Sequence, residues 1–524
     1  MGSTVHKSSF WHLQQSPFHW NTFIQGIGLN ILFVILSGMI ASLMFPPWKL
    51  WWCGWFALVP MLIALRRSED YKHAGRLMIL FGIVYSAFSM HWLTNVFHWQ
   101  TIGIYLIIAL PWALFGVAHS FLYRQLLKIK SRVFAIIIGI LFTPVLYLAT
   151  EWVRCEGWYF RFSWGQFGFT LADLPQSWQC YSVIGIYGVT FVIIMANVVL
   201  SEIVRASITL PRKIAYLSLS ALFASGISFS LTLPVNDLQN RIIQQATISV
   251  GVVQLEGKTV RQYQKLTEKL APTHPRLVVW PEYALNDYPL TNPSLLRELQ
   301  ETARKSGSIL ILGCKEILPD TAKVDPMRRR AMNLSEGALF GNAALVIAPD
   351  GQVLGTYHKM YPVQFFSDGV PGSKSPIFQT DIGKIGIAIC YDMDYTPASR
   401  RMVANGAEVL VVPTMDALSW SALQHDEHTL IAHARAAEVG RWVVRATTSG
   451  VSEVISPLGL PTFSIPNGAA ESAAGKITLL SNVTWYVRVG YLLPYLCLGL
   501  TILWIIISLL LAWRSKKHSI QVES

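Results

Sequence analysis

The sequence predicts an α-helical membrane bundle of eight transmembrane helices joined to a water-soluble α/β domain. Three observations predict it. Of 524 residues, 52% are hydrophobic and only 14% charged, against roughly a quarter charged in an ordinary soluble domain. Eight apolar stretches approach the length of about 17 to 25 residues that spans a hydrocarbon core. The long segment before the last of them alternates short β-like runs with amphipathic helical ones, the pattern of a layered α/β domain.

Seven of the apolar stretches precede residue 236, over 25–45, 50–65, 77–95, 102–123, 133–150, 183–201 and 214–234, and the eighth covers 489–513. The chain therefore divides into a bundle of seven helices over 1–235, a soluble domain over 236–488, and a C-terminal helix with a basic tail over 489–524. The first stretch is long enough to span and reads as a retained anchor rather than a cleaved leader.

Orientation follows from the short loops, because cytoplasmic loops carry the excess of Lys and Arg. Basic clusters follow stretches two (Arg66, Arg67, Lys72, Arg76), four (Arg124, Lys128, Lys130, Arg132), six (Arg205, Arg212, Lys213) and eight (Arg514, Lys516, Lys517), whereas the loops after one and three hold only Lys49. Both termini then face the cytoplasm, and residues 236–488 lie on the other side. The net charge of +12 is largely these clusters. With no basic run interleaved with aromatics, it argues against a nucleic-acid partner. Cys155 and Cys180, both after the fifth stretch, would pair in an oxidising compartment or remain thiols, and the sequence leaves both open.

In the soluble segment, strands are expected at 246–254, 276–282, 308–316, 342–348, 384–390, 408–413 and 441–446, and helices at 259–270, 294–307, 396–405 and 421–439. Chemistry in such domains gathers where strands end. Three strand ends or adjoining loops carry a reactive type: Glu282 in "VVWPEYAL", Lys359 in "GTYHKMYP" and Cys390 in "AICYDMD". Their needs are complementary. A thiol attacks as its thiolate, a neighbouring ammonium favours that form, and a neighbouring carboxylate can take the proton. The same ammonium would stabilise the oxyanion of a tetrahedral intermediate. Singly, each has an ordinary reading as a core thiol, a turn carboxylate or a surface charge.

Together and in this order they resemble the carbon–nitrogen hydrolase (nitrilase) superfamily, which has a glutamate in a "WPE"-like turn, a lysine in a "YxK" context and a cysteine in "xxCYD" or "xxCYE". The stretches "RRMVANGAEVLVVPT" (400–414) and "HARAAEVGRWVVRATTSGVSEVISPLG" (433–459) extend the resemblance. It implies a nitrilase-like αββα sandwich for the soluble domain. A domain of this kind held between seven spans and one resembles the apolipoprotein N-acyltransferase family, as do "EWVRCEGWYFRFSWGQFG" (151–168) and "GIYGVTFVIIMAN" (185–197).

What the resemblance implies is a ping-pong transfer without a cofactor. Cys390 would be the nucleophile, Glu282 the general base and Lys359 the oxyanion's charge partner, helped by the backbone N–H of Tyr391. A phospholipid would donate an acyl chain to Cys390 as a thioester, and the N-terminal amine of a diacylglyceryl-cysteine lipoprotein would receive it. The setting implied is a bacterial inner membrane, with the domain facing the periplasm or cell exterior.

Three departures fall around the expected pocket. Asp392 follows Tyr391 where the family commonly has glutamate. "YPVQFFSDG" replaces a "VPFGE"-like stretch, leaving Asp368 as the nearest carboxylate. "TMDALSW" replaces an "NDxWFG" loop, leaving Asp416 and Trp420 as echoes. They admit a relative acylating a different amine, or a membrane-tethered amidase in which water resolves the thioester. A catalytically silent scaffold is the third reading, disfavoured by an intact trio.

Trp158 and Trp164, within the aromatic run 158–164, would guide lipid to the site or form an interfacial belt. His425, His428 and His433 invite a metal reading, but His433 lies five positions beyond His428, and the favoured reading is a helix with polar surface positions. No phosphate-binding or dinucleotide-binding glycine pattern occurs.

Overall fold

The computed structural model describes residues 20–126, 132–174, 177–204, 235–257, 259–318 and 339–523, with three isolated positions between 205 and 234. The bundle comprises α1 (Trp20–Ser42), α2 (Val59–Arg66), α3 (Tyr71–Ser89), α4 (Leu93–Phe97), α5 (Thr101–Leu126), α6 (Arg132–Trp152) and α7 (Trp178–Ile203). Among the described residues, four helical stretches are long and apolar enough to cross a membrane: Leu93–Leu126, Ile138–Gly157, Trp178–Ile203 and Gly490–Leu511. The expected stretch 214–234 lies outside the described residues, apart from isolated positions.

The expected span at 50–65 is not one helix. A 3₁₀ turn over Trp51–Trp55 precedes the eight-residue α2, which at 1.5 Å per residue extends about 12 Å, against a hydrocarbon core of about 30 Å. The cause is Pro60 in the first turn of α2, where it has no N–H for a preceding helical turn to use.

After α6 the chain re-enters the bundle instead of running over its surface. Phe167 and Trp164 are buried, and the loop's carbonyls are taken up by Tyr85 Oη on Gly165 O (2.6 Å) and Tyr181 Oη on Gly168 O (2.5 Å). Irregular backbone at such depth persists only when protein groups satisfy it. Cys155 and Cys180 are separate thiols.

The soluble domain begins with α8 (Val235–Gln244) and holds twelve strands among the described residues: β1 (Ile248–Gln254), β2 (Leu277–Val279), β3 (Ile309–Ile317), β4 (Phe340–Ile347), β5 (Val353–His358), β6 (Ile377–Thr380), β7 (Gly383–Ile387), β8 (Val409–Thr414), β9 (Val443–Thr447), β10 (Ser452–Ile455), β11 (Pro461–Ile465) and β12 (Glu471–Ile477). They form two six-stranded sheets, ordered β12-β1-β2-β3-β4-β5 and β11-β10-β9-β8-β7-β6. Parallel pairs β1–β2–β3 and β7–β8–β9 form the two centres. Those strands are almost wholly apolar, as burial on both faces requires. The sheets pack face to face through β1, β2, β3, β8 and β9.

Helices α9 (Val260–Glu268) and α10 (Pro293–Ser306) belong to the first sheet's layer, and α11 (Thr396–Ala404) and α12 (Ala422–Val439) to the second's. α12 also packs against α7 of the bundle. It is thus covered on both sides, and His425, His428 and His433 are 1%, 3% and 6% exposed, not the surface positions expected from the sequence. The chain returns through α13 (Trp485–Arg488) to α14 (Leu493–Glu523), which packs on α6.

Candidate active site

Glu282 lies three residues beyond β2, in the turn that Pro281 opens. β3 passes so close that a Cβ on Gly313 would stand 2.5 Å from Glu282 Cα, so only glycine fits there. Lys359 follows β5 directly. Cys390 does not close β7, as the sequence reading expected; β7 ends at Ile387, and Cys390 opens a 3₁₀ turn over Cys390–Asp394 with φ of 49°. A left-handed cysteine is strained, typically by about 1–3 kcal/mol, and the strain turns the thiol out of the strand's alternation.

The turn is held by Asp392. Its Oδ2 accepts from Ile389 N (2.9 Å) and Tyr357 Oη (2.7 Å), and its Oδ1 from Met360 N (3.0 Å) and Tyr361 N (2.8 Å). Asp392 therefore fastens the residues after Lys359 to the turn of Cys390. Burial pushes its carboxyl up to about 6 despite these donors.

Glu282, Lys359, Asp368 and Cys390 are each at most 5% exposed. Lys359 Nζ donates to Glu282 Oε1 at 2.8 Å and to Asp368 Oδ2 at 2.7 Å. Asn342 Nδ2 donates to the same two carboxylates, at 2.6 and 2.7 Å. Tyr283 Oη and Val363 N complete the donors to Asp368. Glu282 Oε2 accepts from Met415 N at 2.8 Å, and Cys390 Sγ points at Met415 O at 3.7 Å. The carboxylate and the sulfur thus address opposite poles of one residue.

Burial lowers the affinity of Lys359 for its proton, but Asp368 and Glu282 outweigh it and hold the ammonium well above its usual range. Burial raises Glu282, with Lys359 opposing and Asp368 assisting. Burial and the Glu282 charge push the Cys390 thiol well up, with Lys359 opposing. The resting site is a neutral thiol beside a carboxylate more basic than one in water.

Cys390 opens on a cleft with two sources of wall. The bundle supplies Trp92, Leu93, Val96, Phe97, Ile104, Phe162 and Trp164, and the α/β domain supplies Val363, Gln364, Phe365, Phe366, Cys390, Tyr391, Trp420, Gln424 and His428. Phe97 packs on Phe366 at 5.4 Å between ring centroids, so the loop after Lys359 closes directly on the bundle.

Trp164 and Trp420 line this cleft; Trp158 does not, donating instead to Arg154 O at 3.2 Å. Asp416 lies behind the wall, accepting from His428 Nδ1 (2.7 Å) and Arg445 Nη2 (2.6 Å). Burial would raise its carboxyl, but His428 and Arg445 hold it below the ordinary range. Among the described residues, no cluster of His, Cys, Asp or Glu could hold a metal ion.

Sequence reasoning missed Asn342, and singled out His428 only for a metal or surface reading, not as a wall of the cleft bonded to Asp416. Asn342 carried a signal, as a polar side chain inside the buried run "FGNAALVI" of β4, since such a group needs a partner. The place of His428 carried none, because its partners Asp416, Asp394 and Arg445 lie on other elements.

Fold and site together define a carbon–nitrogen hydrolase domain that shares its cleft with an apolar helical bundle. A family model described as the apolipoprotein N-acyltransferase N-terminal domain matches residues 37–199, and one described as carbon-nitrogen hydrolase matches residues 242–471. Relatives named apolipoprotein N-acyltransferase match nearly end to end. The one from Geobacter metallireducens is 24% identical, covering 90% of this chain and 93% of that one. The one from Gloeobacter violaceus is 27% identical, covering 88% and 90%, and the one from Haemophilus ducreyi is 24% identical, covering 92% and 96%. The chain belongs to the apolipoprotein N-acyltransferase family.

Proposed function

We propose that this protein moves a fatty acyl chain from a phospholipid, through a thioester on Cys390, to the N-terminal amine of a diacylglyceryl-cysteine lipoprotein. The observation that carries the reading is the shared cleft, since both substrates are anchored in lipid and the sulfur opens toward a wall made by the bundle.

In the first half-reaction Glu282 takes the thiol proton as sulfur attacks the ester carbonyl. The oxyanion forms beside Lys359 and the N–H of Tyr391. Collapse breaks the ester C–O bond, and the lysophospholipid oxygen leaves with the proton from Glu282. In the second, the acceptor's neutral amine attacks the thioester, Glu282 takes its proton, the C–S bond breaks, and the proton returns to sulfur. The raised affinity of Glu282 suits both abstractions, because a base works best with a pKa near the operating pH.

The basic loops support cytoplasmic termini, with the domain between 236 and 488 on the periplasmic or outer side of a bacterial inner membrane. Asp392 lends no support to a tethered amidase, because both its oxygens are spent on the turn.

Mass spectrometry of the purified protein mixed with phospholipid tests the reading. A hydroxylamine-sensitive acyl adduct on Cys390, stable until a diacylglyceryl-cysteine peptide is added, is expected. Rapid release of fatty acid into water would instead make the protein a hydrolase in which water resolves the thioester, and absence of any adduct would leave neither enzyme standing.

A further inference from the structure

Away from the cleft, a buried ion pair ties the turn of Cys390 to the bundle. Arg435 and Glu438 stand one turn apart on α12, both fully buried, with Arg435 Nη1 2.5 Å from Glu438 Oε2. The guanidinium's other donors go to the catalytic turn: Nε to Met393 O at 2.8 Å and Nη2 to Asp394 O at 2.9 Å. The carboxylate's other oxygen accepts from the backbone N–H of Ile186 in α7 at 2.6 Å. Helix α7 is broken just there, with Gly185 at φ 64° and ψ −175°. A Cβ on Gly185 would lie 2.4 Å from the Tyr486 ring and 3.0 Å from Glu438 Oε1.

A buried ion pair is weak evidence for stability, because removing both charges from water cancels much of their attraction unless every remaining valence is filled. Here those valences are filled by backbone of two separate parts of the molecule. One end is a turn whose first residue is strained at φ 49°, and such strain persists only where surroundings over-determine it. Asp392 fixes the start of that turn and Arg435 its end.

We infer that Arg435 and Glu438 are positioning residues for acyl transfer, making the attitude of the Cys390 thiol depend on the break in membrane helix α7. The inference rests on Cys390 being the nucleophile.

The test uses the full-length protein in phospholipid nanodiscs, comparing wild type with Arg435→Lys, Glu438→Gln, Glu438→Ala and Gly185→Ala. Single-turnover acylation of Cys390 and its alkylation by iodoacetamide across pH are measured on folded protein. Each variant is expected to acylate on the order of 10²-fold more slowly, the scale of a misplacement of about 1 Å, with donor KM within about twofold and a displaced alkylation profile. Glu438→Gln, which still accepts from Ile186, should retain more activity than Glu438→Ala.

Purely structural residues would lower the melting midpoint while leaving rate per folded molecule and alkylation profile unchanged, and that result overturns the inference. If Arg435→Lys fails to fold, Gly185→Ala and the near-isosteric Glu438→Gln decide by the same readouts. Wild type forming no adduct would defeat the nucleophile itself, whereas a normal wild type with unaffected variants defeats only the positioning role.

Discussion

Lys359 and Asp368 are joined at 2.7 Å, a contact as close as the one between Lys359 and Glu282 at 2.8 Å. The ammonium is divided between two carboxylates, so Glu282 is only partly neutralised and keeps the affinity for a proton that a base requires. The carboxylate absent from the expected stretch after the lysine is in effect supplied by Asp368.

Replacing Cys390 with alanine should abolish both adduct and transfer. Lys359→Ala should cost on the order of 10²-fold or more in kcat, the scale of losing an oxyanion partner. Lipid-to-peptide transfer followed by gel shift measures both, and wild-type turnover in either would remove that residue from the mechanism.

Asp368→Asn should shift the pH profile. The proposed mechanism needs Glu282 ionised, so the acid limb of kcat/KM should lie above the roughly 4.3 of an ordinary glutamate, because burial and Asp368 raise it. Removing the Asp368 charge lowers the affinity of Glu282 for its proton, moving that limb to lower pH, while kcat falls roughly tenfold to a hundredfold as the lysine loses a tether. A limb that stays put or moves upward contradicts this account.

His433 should make stability decline toward alkaline pH. Its imidazole bridges Glu453 Oε2 (2.7 Å) and Asp173 Oδ1 (3.0 Å). Burial opposes its charge, but these carboxylates raise its pKa to about 9, above about 6.5 for an unfolded chain. A raised folded value gives stability that is complete below the unfolded pKa and lost as pH climbs through about 9. The thermal midpoint in detergent should fall between pH 6.5 and 9.5, roughly the window set by the two values, and less steeply in His433→Gln. Equal slopes would refute the assignment.

Trp164 and Trp158 should separate. Trp164→Leu removes an indole from the cleft and should raise the donor's KM roughly tenfold, on the scale of losing about 1.5 kcal/mol of apolar contact. Trp158→Leu, away from the cleft, should stay within about twofold of wild type, as expected for a change remote from the site. Equal effects would mean that lipid reaches Cys390 by another route.

The central strands were legible because continuous β-branched runs such as "ISVGVV" and "VLVVP" have few other homes than a doubly covered sheet. The strands β5, β6, β10, β11 and β12 were not read, being short or at sheet edges, where polar residues interrupt the alternation. Glu282 and Cys390 stood out as reactive types at the ends of apolar runs, and Lys359 as one in its "YxK" context, and the structure brings them into one cluster. Asn342, Arg435 and Glu438 escaped because their meaning lies in partners distant along the chain. Helix α12 was misread for a related reason: a sequence period reports one buried face, and this helix has two.

The cleft's two walls have a consequence for biosynthesis. Trp92, Phe97 and Trp164 leave the ribosome long before Cys390, and the sulfur gains its greasy enclosure only when the later half has docked on the earlier. A chain translated only through the bundle thus carries no chamber able to trap a lipid ester.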